Sequence, residues 1–159
     1  RPGLFFSNSN IVPFDEYLKR RDELARYAAS FGLEVVDDDY DHGAWLDFVK
    51  SRCGSTEVLA GPERGPRCLA CFEFRLKRAA EFAISHGYSI LTTSLASSRW
   101  KVLSQVDEAG RRAVFPTGKV LTWWPQNWRK GGLQERRNFL ISSCALYNQT
   151  WCGCEFSQR

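Results

Sequence analysis

The sequence predicts an α/β fold: a mostly parallel sheet with flanking helices, in one domain over residues 1–159 that ends in a tail from about residue 147. Three observations predict it. Short apolar runs alternate with segments of helical period, the pattern of strand–helix–strand units. Polar clusters at Asn8–Asn10, Asp38–Asp41 and Thr92–Ser94 follow those runs, at the carboxyl ends of strands where open α/β sheets bind ligands. A chain of 159 residues with 43% hydrophobic and 14% aromatic content can bury one core, which argues against disorder.

Residues 2–7 (PGLFFS) form the first apolar run, ended by Asn8-Ser9-Asn10. Pro13 suits the first turn of a helix. Phe14, Tyr17, Leu18, Leu24, Tyr27, Ala28 and Phe31 then recur at helical spacing, Lys19 to Glu23 fill the outer face, and Gly32 stops the helix. Residues 33–37 give a second strand, and Trp45, Leu46 and Val49 support a short helix over 44–50. The stretch 54–66 carries three glycines and two prolines and reads as a loop. A longer helix runs from Cys68 to about His86 on Leu69, Phe72, Leu76, Ala79, Ala80 and Ala83, with His86 as a C-terminal cation and Gly87 as cap. Residues 88–95 give a third strand, 100–109 a helix, 119–123 a fourth strand, and 133–147 a helix built on Phe139, Leu140 and Leu146.

No run of about 18 apolar residues is present, so nothing here spans a membrane as a helix. No secretory signal is visible at the N-terminus either, and the expected location is cytoplasmic. Six cysteines are too sparse for a disulfide scaffold; their paired short spacings point to metal or redox use in a reducing compartment. Net charge is +4, yet residues 111–137 carry seven basic residues against Glu135 alone. The chain has no methionine and opens with Arg-Pro-Gly, from which a front piece upstream of Arg1 is expected.

Cys68 and Cys71 are spaced to share one face of a first helical turn, where free N–H groups and the helix dipole favour thiolate. A second pair, Cys152 and Cys154, flanks Gly153 in the tail. Together they offer four soft ligands, open to a structural four-cysteine zinc site, to an iron–sulfur cluster, or to a division in which one pair binds metal and the other is a dithiol. The central glycine suits the last, because it tolerates the strained ring a disulfide between such near neighbours needs. Cys53 and Cys144 stand alone and read as small buried hydrophobes. His42, between Asp41 and Gly43, has no second histidine nearby. Residues 121–132 interleave Trp123, Trp124 and Trp128 with Arg129 and Lys130, a mix that fits phosphate contact and base stacking; Arg99-Trp100-Lys101 is a smaller copy.

The motifs in order resemble the cobalamin-independent, iron–sulfur type of epoxyqueuosine reductase, a bacterial tRNA-modification enzyme. Phe6-Ser7-Asn8-Ser9-Asn10-Ile11 resembles that family's Tyr-Asn-Pro-Asn-Ile strand end. The others are Asp39-Tyr40-Asp41 with Trp45-Leu46, Arg67-Cys68-Leu69-Ala70-Cys71-Phe72 with Arg75-Leu76, and Thr92-Thr93-Ser94-Leu95. Trp128 to Gly132, Tyr147-Asn148-Gln149 and Cys152 to Ser157 complete the series. The resemblance implies a Rossmann-like fold of the adenine-nucleotide-hydrolase type. It implies reduction of epoxyqueuosine to queuosine at the wobble position of tRNA, with a [4Fe–4S] cluster and an external electron donor. By position, Cys68 and Cys71 would be cluster ligands, and Cys152 and Cys154 the redox dithiol. The family carries a Cys-Cys pair after its first strand; the first strand and the two further ligands are expected upstream of Arg1. An additional iron beside the cluster and the oligomeric state are left open. Asp41 and Tyr40, with His42 beside them, are candidate proton donors by strand-end position. Asn8, Asn10, Arg99, Trp100, Lys101, Trp128, Arg129 and Lys130 are the expected substrate and tRNA contacts. Rival readings are a tRNA sulfur-transfer enzyme and a non-catalytic RNA-binding module stapled by a zinc ion on four cysteines.

Overall fold

The computed structural model describes residues 2–157. The elements run β1 (Leu4–Phe6), α1 (Phe14–Ala29), β2 (Val35–Asp37), α2 (His42–Cys53), α3 (Thr56–Ala60), α4 (Pro66–Ser85), β3 (Ile90–Leu91), α5 (Leu103–Val114), β4 (Thr122–Trp123) and α6 (Leu133–Ser143). The architecture is mixed α/β, and both strand pairings are parallel. β1 pairs with β2, setting Leu4 opposite Val35 and Phe6 opposite Asp37; β3 pairs with β4, setting Leu91 opposite Trp123. The expected sheet is thus present as two separate two-stranded pairs among the described residues. Aromatic side chains, not backbone bonds, link the two halves: Phe5 of β1 stacks on Phe82 of α4 at 4.5 Å, and Tyr88 packs against Gly3 so closely that a Cβ there would lie 2.4 Å from its hydroxyl.

The organising element is α4. Pro66 occupies its first turn, where a missing N–H costs nothing. One face buries Phe72, Leu76, Ala80 and Ala83 against Val106, Ala109 and Ala113 of α5, Leu91 of β3 and Trp123 of β4. Another sets Ala70 and Cys71 against Trp45 and Val49 of α2. A third carries two arginines to the ends of the first strand pair. Arg75 Nε donates to the Ser7 carbonyl at 2.8 Å, and Arg78 Nε to Asp38 Oδ2 at 2.5 Å. A buried Phe or Leu side chain contributes about 1.5–3 kcal/mol, so the apolar faces dominate and the ion pairs fix orientation.

Several expectations are corrected. Residues 54–66 contain α3: Ser55 caps it by accepting from Val58 N at 3.3 Å, and Leu59 is buried. The helix expected over 100–109 starts at Leu103, because Ser98 captures the preceding turn through the amides of Trp100 and Lys101. The third strand is two residues long and gives way to a 3-10 turn over Ser94–Ser97. Phe14 of α1 and Phe31 beyond its C-terminal end are exposed, whereas Arg20, placed on the outer face by its charge, is only 6% exposed. α6 stops at Ser143 and buries none of its residues; Phe139 is 57% exposed. No helix among the described residues is long and apolar enough to cross a membrane.

Gly110 of α5 faces Trp123, and a Cβ there would lie 2.3 Å from the indole. Replacing a mid-helix glycine by alanine ordinarily gains about 0.5–1 kcal/mol, while overpacking costs about 1–3 kcal/mol. Gly110→Ala is therefore expected to lower stability in urea unfolding by about 1–2 kcal/mol; a stability equal to or above the parent contradicts the α5–β4 contact.

Candidate active site

The first turn of α4 presents Cys68 and Cys71 to a cleft between that helix, the segment leading into α5, and the tail. Two adjoining hollows share Glu63, Cys68, Phe72, Lys101 and Cys152 as lining. One adds Asn10, Arg67, Cys71, Arg75 and Cys154; the other adds Arg64, Trp100 and Gln105. The two cysteine pairs, far apart in sequence, therefore line one space, and all four thiols are free.

Each sulfur has its own surroundings. Cys68 Sγ accepts from the Arg64 amide at 3.3 Å, and Arg64 holds a left-handed φ of 73° there. Cys71 is buried, and burial pushes its thiol up, opposed by Arg75, by the Trp45 indole N–H and by Lys101. That indole Nε1 is buried and makes no hydrogen bond of ordinary geometry, yet its N–H lies close enough to the Cys71 sulfur to favour the thiolate. Cys152 goes the other way. The Cys154 thiol donates to it, Ser157 Oγ stands at 2.9 Å, and Lys101 adds positive charge, which outweigh burial and hold Cys152 well below the ordinary thiol range. Cys154, donating that bond and buried, is pushed up. The tail pair thus divides into one thiolate and one thiol.

The tail is fastened at several points. Gly153 O accepts from the Val12 amide at 2.9 Å, and Ser157 Oγ reaches the Cys154 carbonyl at 2.9 Å. His42 stacks on Trp45, with Nδ1 2.8 Å from the Ser9 carbonyl and Nε2 3.2 Å from Glu155 Oε1. Arg67, placed in the sequence only as a motif residue, is buried beneath the cleft. It donates to the carbonyls of Leu59 and Gly61 and lies 5.1 Å from the Phe156 ring.

The structure gathers only some of the sequence candidates. Cys68, Cys71, Cys152, Cys154, Asn10, Trp100 and Lys101 line the cleft. Asn10 is 3% exposed and its Oδ1 has no partner. Asn8 Oδ1 accepts from Arg75 at 2.5 Å, which makes Asn8 a brace for a lining residue. Trp100 is 52% exposed at the rim, with the Arg99 guanidinium 4.9 Å from its ring. Asp41 and Tyr40 lie outside the lining: Asp41 Oδ1 caps α2 through Ala44 N at 2.8 Å, and the Tyr40 hydroxyl donates to the Ile11 carbonyl at 2.8 Å. Trp128 is half-buried and donates to the Thr93 carbonyl at 2.9 Å, so its ring packs inward; Arg129 and Lys130 stand on the loop beyond it. Sequence reasoning missed Trp45, Arg75 and Gln105 as parts of the site, because each reveals its role only through a partner distant along the chain; Ser157 was missed although its partners Cys152 and Cys154 are near it in sequence.

Two of the four ligands of an iron–sulfur cluster fit these residues by donor chemistry: soft thiols one turn apart at a helix N-terminus. Among the described residues no three of His, Cys, Asp and Glu stand close enough to hold a metal ion unaided. The division of thiols gives a direct expectation for the reduced, metal-free chain. At pH 7 Cys152 reacts with iodoacetamide first, on the order of tenfold faster than Cys71; labelling of Cys71 ahead of Cys152 contradicts the electrostatics described.

A family profile described as epoxyqueuosine reductase QueH matches residues 1–159. The epoxyqueuosine reductase QueH of Haemophilus influenzae is 39% identical over 156 residues, covering 98% of this chain and 61% of its own. That of Acinetobacter baylyi is 36% identical over 159 residues, covering 99% and 69%, and that of Thermotoga maritima 31% over 156 residues, covering 96% and 77%. The chain spans about three-fifths of the length of the Haemophilus relative. With every residue from the first strand to the cysteine tail inside the match, the chain belongs to the epoxyqueuosine reductase QueH family.

Proposed function

We propose that the chain reduces epoxyqueuosine to queuosine at the wobble position of tRNA, with Cys152 and Cys154 as the electron-donating dithiol. The observation that carries the reading is the convergence of these thiols with Cys68 and Cys71 in one cleft. The chemistry balances. Removing the epoxide oxygen consumes two electrons and two protons, leaving an alkene and water. The Cys152 thiolate and the Cys154 thiol, on becoming a disulfide, release two electrons and one proton, and a protonated side chain of the cleft supplies the second proton. An external donor then returns the pair to the dithiol.

Cys68 and Cys71 would hold a [4Fe–4S] cluster together with two cysteines from outside this chain segment. When bound, such a cluster supplies single-electron transfer and a Lewis-acid iron. The chain's own residues do the remainder. The Cys152 thiolate is the more nucleophilic member of its pair, and the Cys154 proton is held on its sulfur until transfer. Lys101 lines both hollows and is better placed than Tyr40 or Asp41, whose polar atoms are engaged elsewhere, to protonate the departing oxygen. Asn10 and Arg75 offer polar contacts to the nucleoside, and Trp100 an exposed face for stacking. Arg99, Arg129 and Lys130 contact phosphate. Reduced thiols suit a cytoplasmic setting. We also read the two parallel strand pairs as halves of one Rossmann-like sheet, with α4 spanning them.

Anaerobically purified protein is expected to be brown and to contain iron and labile sulfide. Colourless protein with bound zinc favours the RNA-binding module, and conversion of the tRNA to a thiolated product favours sulfur transfer. Cys152→Ser is expected to keep the wild-type iron content and to lose turnover by more than about 100-fold, roughly the scale for removing a reacting group; loss of iron instead makes Cys152 a ligand. Reversing charge at Arg129 and Lys130 is expected to weaken tRNA binding and to reduce the log–log salt slope by about one per lost phosphate contact. Unchanged binding across a salt titration rejects that assignment.

A further inference from the structure

We infer that Arg20 is the positioning residue of the thiol tail: its guanidinium clamps Trp151 and Cys152 to α1 and so holds Cys152 and Cys154 over Cys68 and Cys71. The inference rests on the reading of Cys152 and Cys154 as the redox pair, and it assigns a task to a buried cation which that reading leaves unused.

A guanidinium has five N–H donors in a fixed plane. Arg20 makes four hydrogen bonds with them and one further ion-pair contact. Nε donates to Glu16 Oε1 at 2.7 Å, and Nη2 reaches the same oxygen at 2.7 Å and the Trp151 carbonyl at 3.2 Å. Nη1 donates to the Cys152 carbonyl at 3.0 Å and to Gln149 Oε1 at 3.1 Å. Three of its four hydrogen bonds therefore run from α1 to the tail, near the other end of the chain. With the Val12 bond to Gly153 O, three successive carbonyls, those of Trp151, Cys152 and Gly153, are held.

The neighbours fit the same clamp. Glu16 balances the buried charge and accepts from the Tyr147 hydroxyl at 3.1 Å; Glu23 accepts from the Tyr147 amide at 2.8 Å; Lys19 sits 3.5 Å from the Tyr147 ring centroid. Gly153 holds a φ of 97°, and a Cβ there would lie 2.8 Å from Ile11 Cγ1 and 3.2 Å from Arg20 Nη1. The strap is thus seated too closely on Arg20 for any side chain. Lysine cannot substitute, since its three donors radiate from one point and cannot reach coplanar acceptors.

The test compares Arg20→Lys and Arg20→Gln with the wild type and with Arg21→Lys, whose guanidinium pairs with Asp22 on the surface. Site-resolved alkylation by iodoacetamide reads the buried Cys154, with Cys53 as reference thiol. Both Arg20 variants are expected to label Cys154 at least about tenfold faster, with Cys53 and Arg21→Lys at wild-type rates. Gly153→Ala is expected to give the same pattern with Arg20 intact. In glutathione buffers the tail pair passes two electrons and one proton to oxidised glutathione, the buffer supplying the second proton; its equilibrium constant is expected to shift at least tenfold in the variants, about 30 mV. An unmoved Cys154 rate, or an acceleration shared equally by Cys53, overturns the inference. Failure of the wild type to form a Cys152–Cys154 disulfide sinks the redox reading instead, and the alkylation rates still decide the role of Arg20.

Discussion

The structure depends on α4 being buried on more than one side. An amphipathic surface helix needs a single apolar stripe. α4 has apolar residues facing α5 and the second strand pair, a separate set facing α2, and arginines facing the first strand pair. That arrangement leaves its N-terminal turn at the meeting point of the surrounding elements. Cys68 and Cys71 sit on that turn, so their place is fixed by two clusters of buried side chains and not by loop geometry.

The same cleft contains thiols pushed in opposite directions. Cys71 lies in apolar surroundings with one indole N–H and two cations at its edge, and its burial dominates. Cys152 lies in a turn that supplies a thiol and an amide as donors with the Ser157 hydroxyl beside them, and these dominate. Neither difference needs a special residue type. Both follow from whether hydrogen-bond donors or apolar side chains surround the sulfur. The tail acquires its surroundings by being strapped along α1, where charge that looks like solvated surface is turned inward.

What was legible in the sequence was what local period encodes. The Leu69–Ala83 stripe marked α4 and its buried side, and the Cys68/Cys71 spacing implied a shared face without reference to anything distant. The parallel pairings followed from strand–helix alternation. Arg20 was misread because its acceptors lie on residues 149–152, and no pattern inside α1 distinguishes a buried arginine from its neighbours Lys19 and Arg21. α3 was missed because one Leu and one Ser cap among glycines and prolines carry too little period. Phe139 and Leu140 suggested a buried stripe on α6, yet none of that helix's residues is buried among the described residues. Asp41 and Tyr40 follow β2 in the chain, as their strand-end position implies, and their polar atoms engage a helix cap and a backbone carbonyl.

If the tail thiols meet the helix-start thiols in order to hand over two electrons, a single-turnover reaction shows it most directly: fully reduced protein, epoxyqueuosine-containing tRNA, no external donor, and thiols counted site by site by mass spectrometry as product forms. Each product formed is then matched by one new disulfide, between Cys152 and Cys154, with Cys53 and Cys144 unchanged. Product appearing while Cys152 and Cys154 both remain free thiols would contradict that role.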